Sequence, residues 1–229
     1  MTAATPLNIF VAGASRGVGF EVVKGLTQKG HQVVALLRTD DIRPHLESLG
    51  ARVQVGDALD ADCVKAAVQE LGPEPFAVVT TLGGKGFTRD QPRADYLGNR
   101  HLVDAVKSWP CQRFILVSSI GVRESAAALP EQVLETLRPA VLAKAKAEEH
   151  LIASGLSYTI VRPGGLLSEP ATGTGILVED ARIAGSITRI DVADLVIQCL
   201  ASPNAENQVL SAVDRDLIRS EHPTDPFVL

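Results

Sequence analysis

The sequence is poor in cysteine and in aromatic residues. Its 229 residues contain three cysteines and two tyrosines, so cysteine or tyrosine chemistry is confined to a few positions. Cys63, Cys111 and Cys199 are widely spaced and form no CxxC pair. Neither a metal site nor a disulfide framework is therefore expected. We interpret the cysteines as reduced thiols of a cytoplasmic protein.

The chain also lacks a long apolar run and an excess of positive charge. No apolar stretch reaches the roughly 20 residues that span a bilayer, and the first residues show no secretory signal. The net charge is −5, with 22 basic and 27 acidic residues, which argues against a nucleic-acid or anionic-membrane partner. The length and the 45% hydrophobic content are typical of one soluble α/β domain.

What the sequence does contain is a glycine-rich loop near its start. A β-type run, Leu7–Ala12, enters the loop, and an amphipathic helical pattern leaves it. Gly13 permits a tight turn, Gly17 lets the backbone approach a pyrophosphate, and the third glycine allows close packing of helix on strand. Three glycines can also serve an ordinary turn, but this order predicts a dinucleotide-binding unit. The residues expected to bind cofactor here are Gly13, Ser15, Arg16, Gly17, Val18 and Gly19.

The end of the second predicted strand, His31–Leu37, indicates which dinucleotide binds. An acidic residue at this point would accept hydrogen bonds from the adenosine ribose. Arg38 stands there instead, and Arg16 can reach the same region, so a 2′-phosphate has two guanidinium partners. Asp40 and Asp41 weaken this interpretation, and both arginines could simply be solvated. We expect NADP(H) as the cofactor.

Strand and helix patterns alternate through the rest of the chain. Further strands are predicted at Arg52–Val55, Phe76–Thr81, Gln112–Ser118 and Ser157–Val161, and helices at Asp60–Leu71, Tyr96–Trp109 and Ala140–Ala153. Buried strands separated by helices predict an α/β, Rossmann-type doubly wound parallel sheet in a single domain. We place that domain at residues 1–213, followed by a tail at 214–229 that is either mobile or faces a partner.

Small or polar residues follow each predicted strand. Ligands of such sheets bind beyond the carboxyl ends of the strands, where these residues gather. Asp57 could accept a hydrogen bond from the adenine amino group, although each segment could also be a plain connection. The residues expected to bind cofactor at this edge are Asp57, Ala58, Thr81, Leu82, Gly83, Ser118, Pro163, Gly164 and Gly165.

These motifs resemble the atypical branch of the short-chain dehydrogenase/reductase superfamily. The matching segments run through almost the whole chain, at Gly13–Gly19, Gly56–Asp57, Ser118–Gly121, Lys144–Glu148, Ser154–Gly165 and Arg189–Ala193. Within that branch the chain looks most like the biliverdin-IXβ reductase/flavin reductase and NmrA-like NAD(P)-binding group. The resemblance implies a Rossmann fold, bound NAD(P) and, in many members, hydride transfer from NADPH.

One departure from the superfamily pattern concerns its Tyr-x-x-x-Lys pair, which protonates the substrate oxygen. Lys144 falls where the lysine of the resemblance falls, but Ala140 stands four residues earlier. Neither Tyr96 nor Tyr158 is followed by a lysine at that spacing. Lys144 is therefore either a ligand of the cofactor ribose or a solvated helix residue. Ketone reduction suffers most from a missing acid, whereas a conjugated acceptor disperses the incoming charge.

We therefore expect an NADPH-dependent reductase of a planar conjugated acceptor, either a flavin or a biliverdin-type tetrapyrrole. Ser119 and Lys144 are the candidate catalytic residues, although the serines could simply satisfy backbone groups. The main alternative is a non-catalytic NADP-binding redox sensor of NmrA-like type that docks a partner. A sugar or isoprenoid epimerase is a third possibility, but such enzymes usually keep the tyrosine. We expect a monomer or a weak homo-oligomer.

Overall fold

The short apolar runs of the sequence form a central sheet in the structure, a computed structural model that describes residues 6–84, 93–219 and 224–229. Within these ranges the strands are β1 (Asn8–Ala12), β2 (Gln32–Leu37), β3 (Arg52–Val55), β4 (Phe76–Thr80), β5 (Cys111–Val117), β6 (Tyr158–Pro163), β7 (Gly165–Leu167), β8 (Gly175–Val178), β9 (Ser186–Thr188) and β10 (Gln208–Asp214). The α-helices are α1 (Gly17–Gln28), α2 (Arg43–Ser48), α3 (Ala61–Gln69), α4 (Asn99–Val106), α5 (Glu131–Ile152) and α6 (Arg189–Ala201).

The strand order of the main sheet is β3-β2-β1-β4-β5-β6-β10-β8. Its neighbours pair in parallel except β10 with β8. The order reverses between β1 and β4, and Ala12 pairs there with Leu36 on one side and Thr80 on the other. The carboxyl ends of these strands therefore meet at one edge, at the switch point where α/β sheets bind ligands. This is the predicted Rossmann-type arrangement.

The sheet has a hydrophobic cluster on each face. Alternate residues of β1 point to opposite faces, so Ile9 and Val11 join one cluster while Phe10 and Ala12 join the other. Helices α1 and α6 pack together against the first cluster, and α3 and α4 pack together against the second. Because both faces are covered, the central strands are apolar throughout, as the sequence pattern indicated.

Two helices begin at side-chain caps that fix where they start. The Asp60 carboxylate accepts hydrogen bonds from the backbone N–H groups of Asp62 and Cys63, at 2.9 and 3.2 Å, and so caps α3. The Thr188 hydroxyl accepts from the N–H of Asp191 at 3.1 Å and caps α6. None of the helices in the described ranges is long and apolar enough to cross a membrane.

Helix α5 is longer than the pattern indicated. It begins at Glu131 and not at Ala140, and it contains Pro139. Proline lacks an N–H and usually ends a helix, which is why the predicted start fell just after it. A short π-helix, Ala94–Gly98, leads into α4, so the predicted helix from Tyr96 joins two elements of different geometry.

The segment predicted as a tail needs correction. Asp214 is the last residue of β10 and is buried, so the boundary at residue 213 falls inside a strand. The Phe227 N–H donates to the Leu177 carbonyl at 2.8 Å, and Phe227 packs with Leu229 against the first core cluster. In its described residues, this segment therefore packs on its own domain instead of forming a mobile or partner-facing tail.

The cysteines are free thiols that the fold largely protects. Cys199 is buried and Cys111 is partly buried. Burial raises the pKa of both thiols to about 12, so they remain protonated at neutral pH. The thiolate is the reactive form, and these two residues are therefore inert structural cysteines.

Candidate active site

The glycine loop is held against the end of β4 by Thr81. The Thr81 N–H donates to the Ala12 carbonyl at 2.9 Å, and its hydroxyl donates to the Gly13 carbonyl at 3.1 Å. A Cβ on Gly13 would lie 2.7 Å from the Thr81 hydroxyl, and one on Gly19 would lie 2.3 Å from the Gly13 carbonyl oxygen. These two glycines are needed for close packing within the loop. Thr81 thus shapes the loop as well as lying at the predicted cofactor edge.

Gly17 has a different environment from the other two glycines. Its φ is +57°, and a Cβ there would meet only the Arg189 side chain, at 3.5 Å. Helix α1 starts at this point, and Arg16 provides no side-chain cap. The first N–H groups of α1 are therefore available to an anion. The side chain of Val18 is buried in the core, so this residue can offer only its backbone. The loop fits the pyrophosphate of a dinucleotide.

The two arginines predicted to bind the 2′-phosphate are both exposed. Among the described residues, neither Arg16 nor Arg38 forms an ion pair. Asp40 pairs with Arg43 at 2.6 Å, and Asp41 accepts a hydrogen bond from a threonine hydroxyl at 2.9 Å. The two aspartates that weakened the prediction thus have other partners. Exposed Ser15 precedes Arg16 in the loop. The preference for NADP(H) stays a prediction.

The end of β3 has an Asx turn at the expected adenine position. One carboxylate oxygen of Asp57 accepts from the Leu59 N–H at 2.9 Å. The Ala58 carbonyl lies 2.9 Å from the ring Nδ1 of His101, which fixes this loop against α4. Asp57 is exposed, so the structural role of one oxygen leaves the other at the surface. An adenine contact at Asp57 stays a prediction.

The segment after β4 packs against a buried carboxylate that sequence reasoning did not identify. The Leu82 N–H donates to the Thr80 hydroxyl at 3.3 Å, and the Gly83 Cα faces Asp95, with a Cβ there lying 3.4 Å from Oδ1. The Gly84 N–H donates to Oδ2 of Asp95 at 2.7 Å. Leu82 and Gly83 are thus brought to the ligand edge as predicted. Asp95 lies in the π-helix beyond residues 85–92, and its role had no local sequence signal.

Asp95 leads directly to Lys144. The carboxylate of Asp95, 2% exposed, accepts from Arg93 Nε at 3.0 Å, and its Oδ1 lies 4.0 Å from Lys144 Nζ. Lys144 Nζ donates to the Val117 carbonyl at the end of β5, at 3.2 Å. Burial lowers the pKa of the Lys144 ammonium, while the Asp95 and Glu148 charges oppose that shift. The side chain of Lys144 is therefore largely buried at the strand edge and not solvated on the helix surface, while its contact with the cofactor ribose stays a prediction.

The two serines after β5 have different hydrogen-bonding environments. The Ser119 hydroxyl donates to the neighbouring Ile120 carbonyl at 2.8 Å. The Ser118 hydroxyl is buried and has no hydrogen-bond partner among the described residues. Buried hydroxyls are normally satisfied, so Ser118 is the group that a bound molecule or water would partner. The choice of Ser119 over Ser118 as the available donor finds no support in this geometry.

The two tyrosines lie in different parts of the fold. Tyr158 is the first residue of β6 and so lies at the sheet edge opposite to the glycine loop. Tyr96 packs against the second core cluster, with the Lys146 amine 5.8 Å from its ring centre. In the sequence, Ala140 stands where a Tyr-x-x-x-Lys pair with Lys144 would need its tyrosine.

The residues at the end of β6 lie next to the segment that follows β5. Pro163 is buried in the strand, and its carbonyl accepts from the Ile120 N–H at 2.9 Å. A Cβ on Gly164 would lie 2.3 Å from the Gly185 carbonyl oxygen. The Gly165 N–H donates to that same carbonyl at 2.9 Å. The two glycines thus allow the chain to pass close to Gly185 as β7 pairs with β9, and their predicted cofactor contacts stay predictions.

A network of ion pairs connects β6 to two neighbouring elements, and sequence reasoning did not identify it. Arg162, 3% exposed, forms two bonds to Glu148, which is fully buried, and one to Glu124. It thereby joins β6 to α5, the helix of Lys144, and to the short helix after β5. A sequence signal existed, since Glu148 lies one helical turn after Lys144, on the same face.

Comparisons with known proteins agree with this geometry. Residues 13–203 match the NAD(P)H-binding family. The chain belongs to that family. Its cofactor is therefore NAD(P)(H), as the glycine loop predicted, and the resemblance to the atypical dehydrogenase/reductase branch is confirmed at this level.

Individual relatives extend over nearly the full length. YhfK of Bacillus subtilis strain 168, named an uncharacterized sugar epimerase, is 32% identical over 92% of this chain and 95% of its own length. The structure of ChuY from Escherichia coli O157:H7, described as an anaerobillin reductase, superposes with a TM-score of 0.82 at 33% identity, covering 92% of this chain and 98% of ChuY. The divinyl chlorophyllide a 8-vinyl-reductase of Oryza sativa subsp. indica is 27% identical, and the match covers 53% of that protein.

Proposed function

We propose that the protein is an NADPH-dependent reductase of a planar conjugated acceptor. A linear tetrapyrrole is the first candidate for that acceptor, and a flavin is the second. The similarity to ChuY over the length of both chains supports a tetrapyrrole, as does the weaker similarity to a chlorophyllide reductase. We also retain a cytoplasmic location as a proposal.

One observation about the site carries the proposal. The strand-end edge contains the amine of Lys144 and the Ser118 hydroxyl, which has no partner among the described residues, whereas Tyr158 lies at the opposite edge and Ala140 occupies the tyrosine position of the pair. Carbonyl reduction builds negative charge on one oxygen, and a positioned acid typically contributes a factor of about 10²–10⁴ there. A tetrapyrrole spreads the added charge over its conjugated system. Such an acceptor depends mainly on being held in the correct place.

In this proposal, different residues along the sheet edge bind different parts of the cofactor. The glycine loop would hold the pyrophosphate, and Arg38 and Arg16 would hold the 2′-phosphate of the adenosine half. Lys144 would bind the ribose hydroxyls of the nicotinamide half from the end of β5. NADPH, when bound, supplies a hydride to the acceptor and leaves as NADP⁺. One proton must follow, and the nitrogens of a tetrapyrrole can take it from water.

The test is a comparison of kcat/KM for NADPH oxidation with three acceptor classes. We expect biliverdin-type tetrapyrroles to be reduced fastest, flavins more slowly, and simple ketones and aldehydes poorly. Efficient ketone reduction would contradict the proposal, because it would require an acid that the site does not present. NADPH binding without oxidation by any of these acceptors would favour the redox-sensor alternative.

Variants of the two candidate side chains sharpen this comparison. Lys144→Ala is expected to weaken NADPH binding, whereas Lys146→Ala is the matched control on the same helix because its amine faces Tyr96. Ser118→Ala should slow turnover by roughly tenfold, the scale of one hydrogen bond, and more than Ser119→Ala does. A larger effect at Ser119 would restore it as the relevant hydroxyl.

A further inference from the structure

Arg189 lies beside the glycine loop although it comes from the far end of the chain. It is the first residue of α6, and its Cδ and Nε both lie 3.5 Å from the position that a Cβ on Gly17 would take. Its guanidinium also donates from Nη1 to the Leu166 carbonyl at 3.3 Å and to the Ser168 hydroxyl at 2.8 Å. One side chain therefore contacts the start of α1 and the end of β7.

The charge of Arg189 has no acidic partner among the residues that the structure describes. Both groups that accept from Arg189 are neutral, and within the described residues it forms no ion pair. The first turn of α1 contains no acidic residue and its cap is Arg16, a second cation. Asp191 is close in sequence, but its carboxylate accepts from Thr172, Gly173 and Thr188.

A cation beside a helix N-terminus is electrostatically unfavourable in isolation. The helix end carries roughly half a positive charge, so the guanidinium adds to a potential of the same sign. An anion between the two interacts favourably with both. The open space at Gly17 is adjacent to the N-terminus and the guanidinium, whereas Gly13 and Gly19 are closed by the loop itself.

We propose that Arg189 is a ligand of the cofactor's pyrophosphate, acting beside Gly17 together with the N–H groups of α1. Ser168 is the positioning residue, because its hydroxyl holds the guanidinium at the loop. The inference uses cofactor binding by the family and is independent of the acceptor that is reduced. It concerns the pyrophosphate that NADPH and NADH share, and so makes a different prediction from Arg38.

The experiment measures dissociation constants of NADPH and NADH by quenching or enhancement of nicotinamide fluorescence. Arg189→Met should weaken both cofactors by the same factor, at least tenfold, and should flatten the salt dependence of binding. Arg38→Met should weaken NADPH alone. Arg182→Met is the matched control, because Arg182 is an exposed arginine paired with Asp180, and it should change neither constant.

Two further variants keep the proposal testable if Arg189→Met does not fold. Arg189→Lys retains the positive charge but loses the several N–H donors of the planar guanidinium. It should therefore weaken the binding of both cofactors, but less than Arg189→Met does. Ser168→Ala should weaken both by a few-fold while the thermal midpoint stays nearly constant. Unchanged dissociation constants in folded Arg189 variants would overturn the proposal and leave Arg189 as a brace for β7. A loss confined to NADPH would also overturn it, since it would place Arg189 at the 2′-phosphate.

Discussion

Replacing Glu148 by glutamine tests the buried ion pair beneath the site. Arg162 Nη2 and Nε lie 2.6 and 3.1 Å from the two oxygens of the fully buried Glu148 carboxylate. Burial alone would lower the pKa of Arg162, but the bonds to Glu148 and then Glu124 raise it. Arg162 thus stays charged in the interior. In the Glu148→Gln variant that charge loses its buried partner, and the amide N–H₂ group faces a guanidinium that can only donate.

We expect Glu148→Gln and Glu124→Gln to lower the free energy of unfolding by very different amounts, although both glutamates bond the same guanidinium. Breaking a buried pair by removing one partner typically costs about 3–5 kcal/mol. Glu124 has a side chain that is 56% exposed, so Glu124→Gln should cost at most about 1 kcal/mol. For a chain of this size 1 kcal/mol lowers the melting midpoint by roughly 2–4 °C. We expect a decrease of about 6–20 °C for Glu148→Gln and of at most about 4 °C for Glu124→Gln.

The assay is thermal unfolding followed by far-ultraviolet circular dichroism, with urea titrations as a second measurement. The double variant Arg162→Met, Glu148→Met removes both charges and should lose less stability than either single variant. Equal losses for the two glutamine variants would refute the reasoning, because burial would then not decide the cost. A double variant as unstable as the sum of the singles would refute it as well.

Three other predictions follow from the same structure. NADPH should bind at least roughly tenfold more tightly than NADH, and Arg38→Asp should remove most of that preference; equal dissociation constants in the unmodified protein would contradict it. Gly17→Ala should lower stability through backbone strain and should also weaken cofactor binding. Gly30 also has a positive φ, +82°, but an added Cβ there would meet nothing within 4 Å, so Gly30→Ala should lower stability alone. Thermal melts and cofactor titrations of both variants would reveal the difference. Burial alone would raise the pKa values of Asp191 and Asp214, but hydrogen bonds from threonine hydroxyls and backbone N–H groups outweigh burial and lower both pKa values. The free energy of unfolding should therefore be highest above about pH 4 and should decrease as the pH falls and both carboxylates become protonated. This decrease should be less steep in Asp191→Asn.

Strands β1 to β6 of the central sheet could be predicted from the sequence because their residues are largely apolar and buried, whereas β8 and β10 of the same sheet were not predicted. Continuous apolar runs gave β1 to β6 to within a few residues, and β3 coincides with the predicted Arg52–Val55. Strands β7, β8 and β9 have only three or four residues, too few for a pattern to emerge. The start of helix α6 has a sequence signal, because Thr188 and Asp191 stand at the spacing of a capping pair. The sequence analysis nevertheless used Arg189–Ala193 only as a family motif and predicted no helix there.

The cofactor half of the site could be predicted because its residues are close together in the sequence. The glycine loop, Arg38 and the strand ends follow from segments that are contiguous in sequence. The other half depends on contacts between distant segments. Asp95 reaches Lys144 and Arg189 reaches Gly17 only after the sheet has formed, and no periodicity marks such pairs. Which serine hydroxyl is satisfied depends on a side-chain rotamer, which a sequence pattern does not determine.

The environment of Lys144 explains how this site could work without a tyrosine. Asp95 already accepts from the Gly84 N–H and from Arg93, and at 4.0 Å it is too far from Lys144 Nζ for a hydrogen bond. The bond of the Lys144 ammonium to the Val117 carbonyl uses one of its three donors. The other donors suit a pair of ribose hydroxyls, a task that needs no phenol. Under the proposed function, a lysine held this way would orient the cofactor, and the acceptor itself would then have to stabilise the electrons it receives, which a conjugated tetrapyrrole does and an isolated ketone does not.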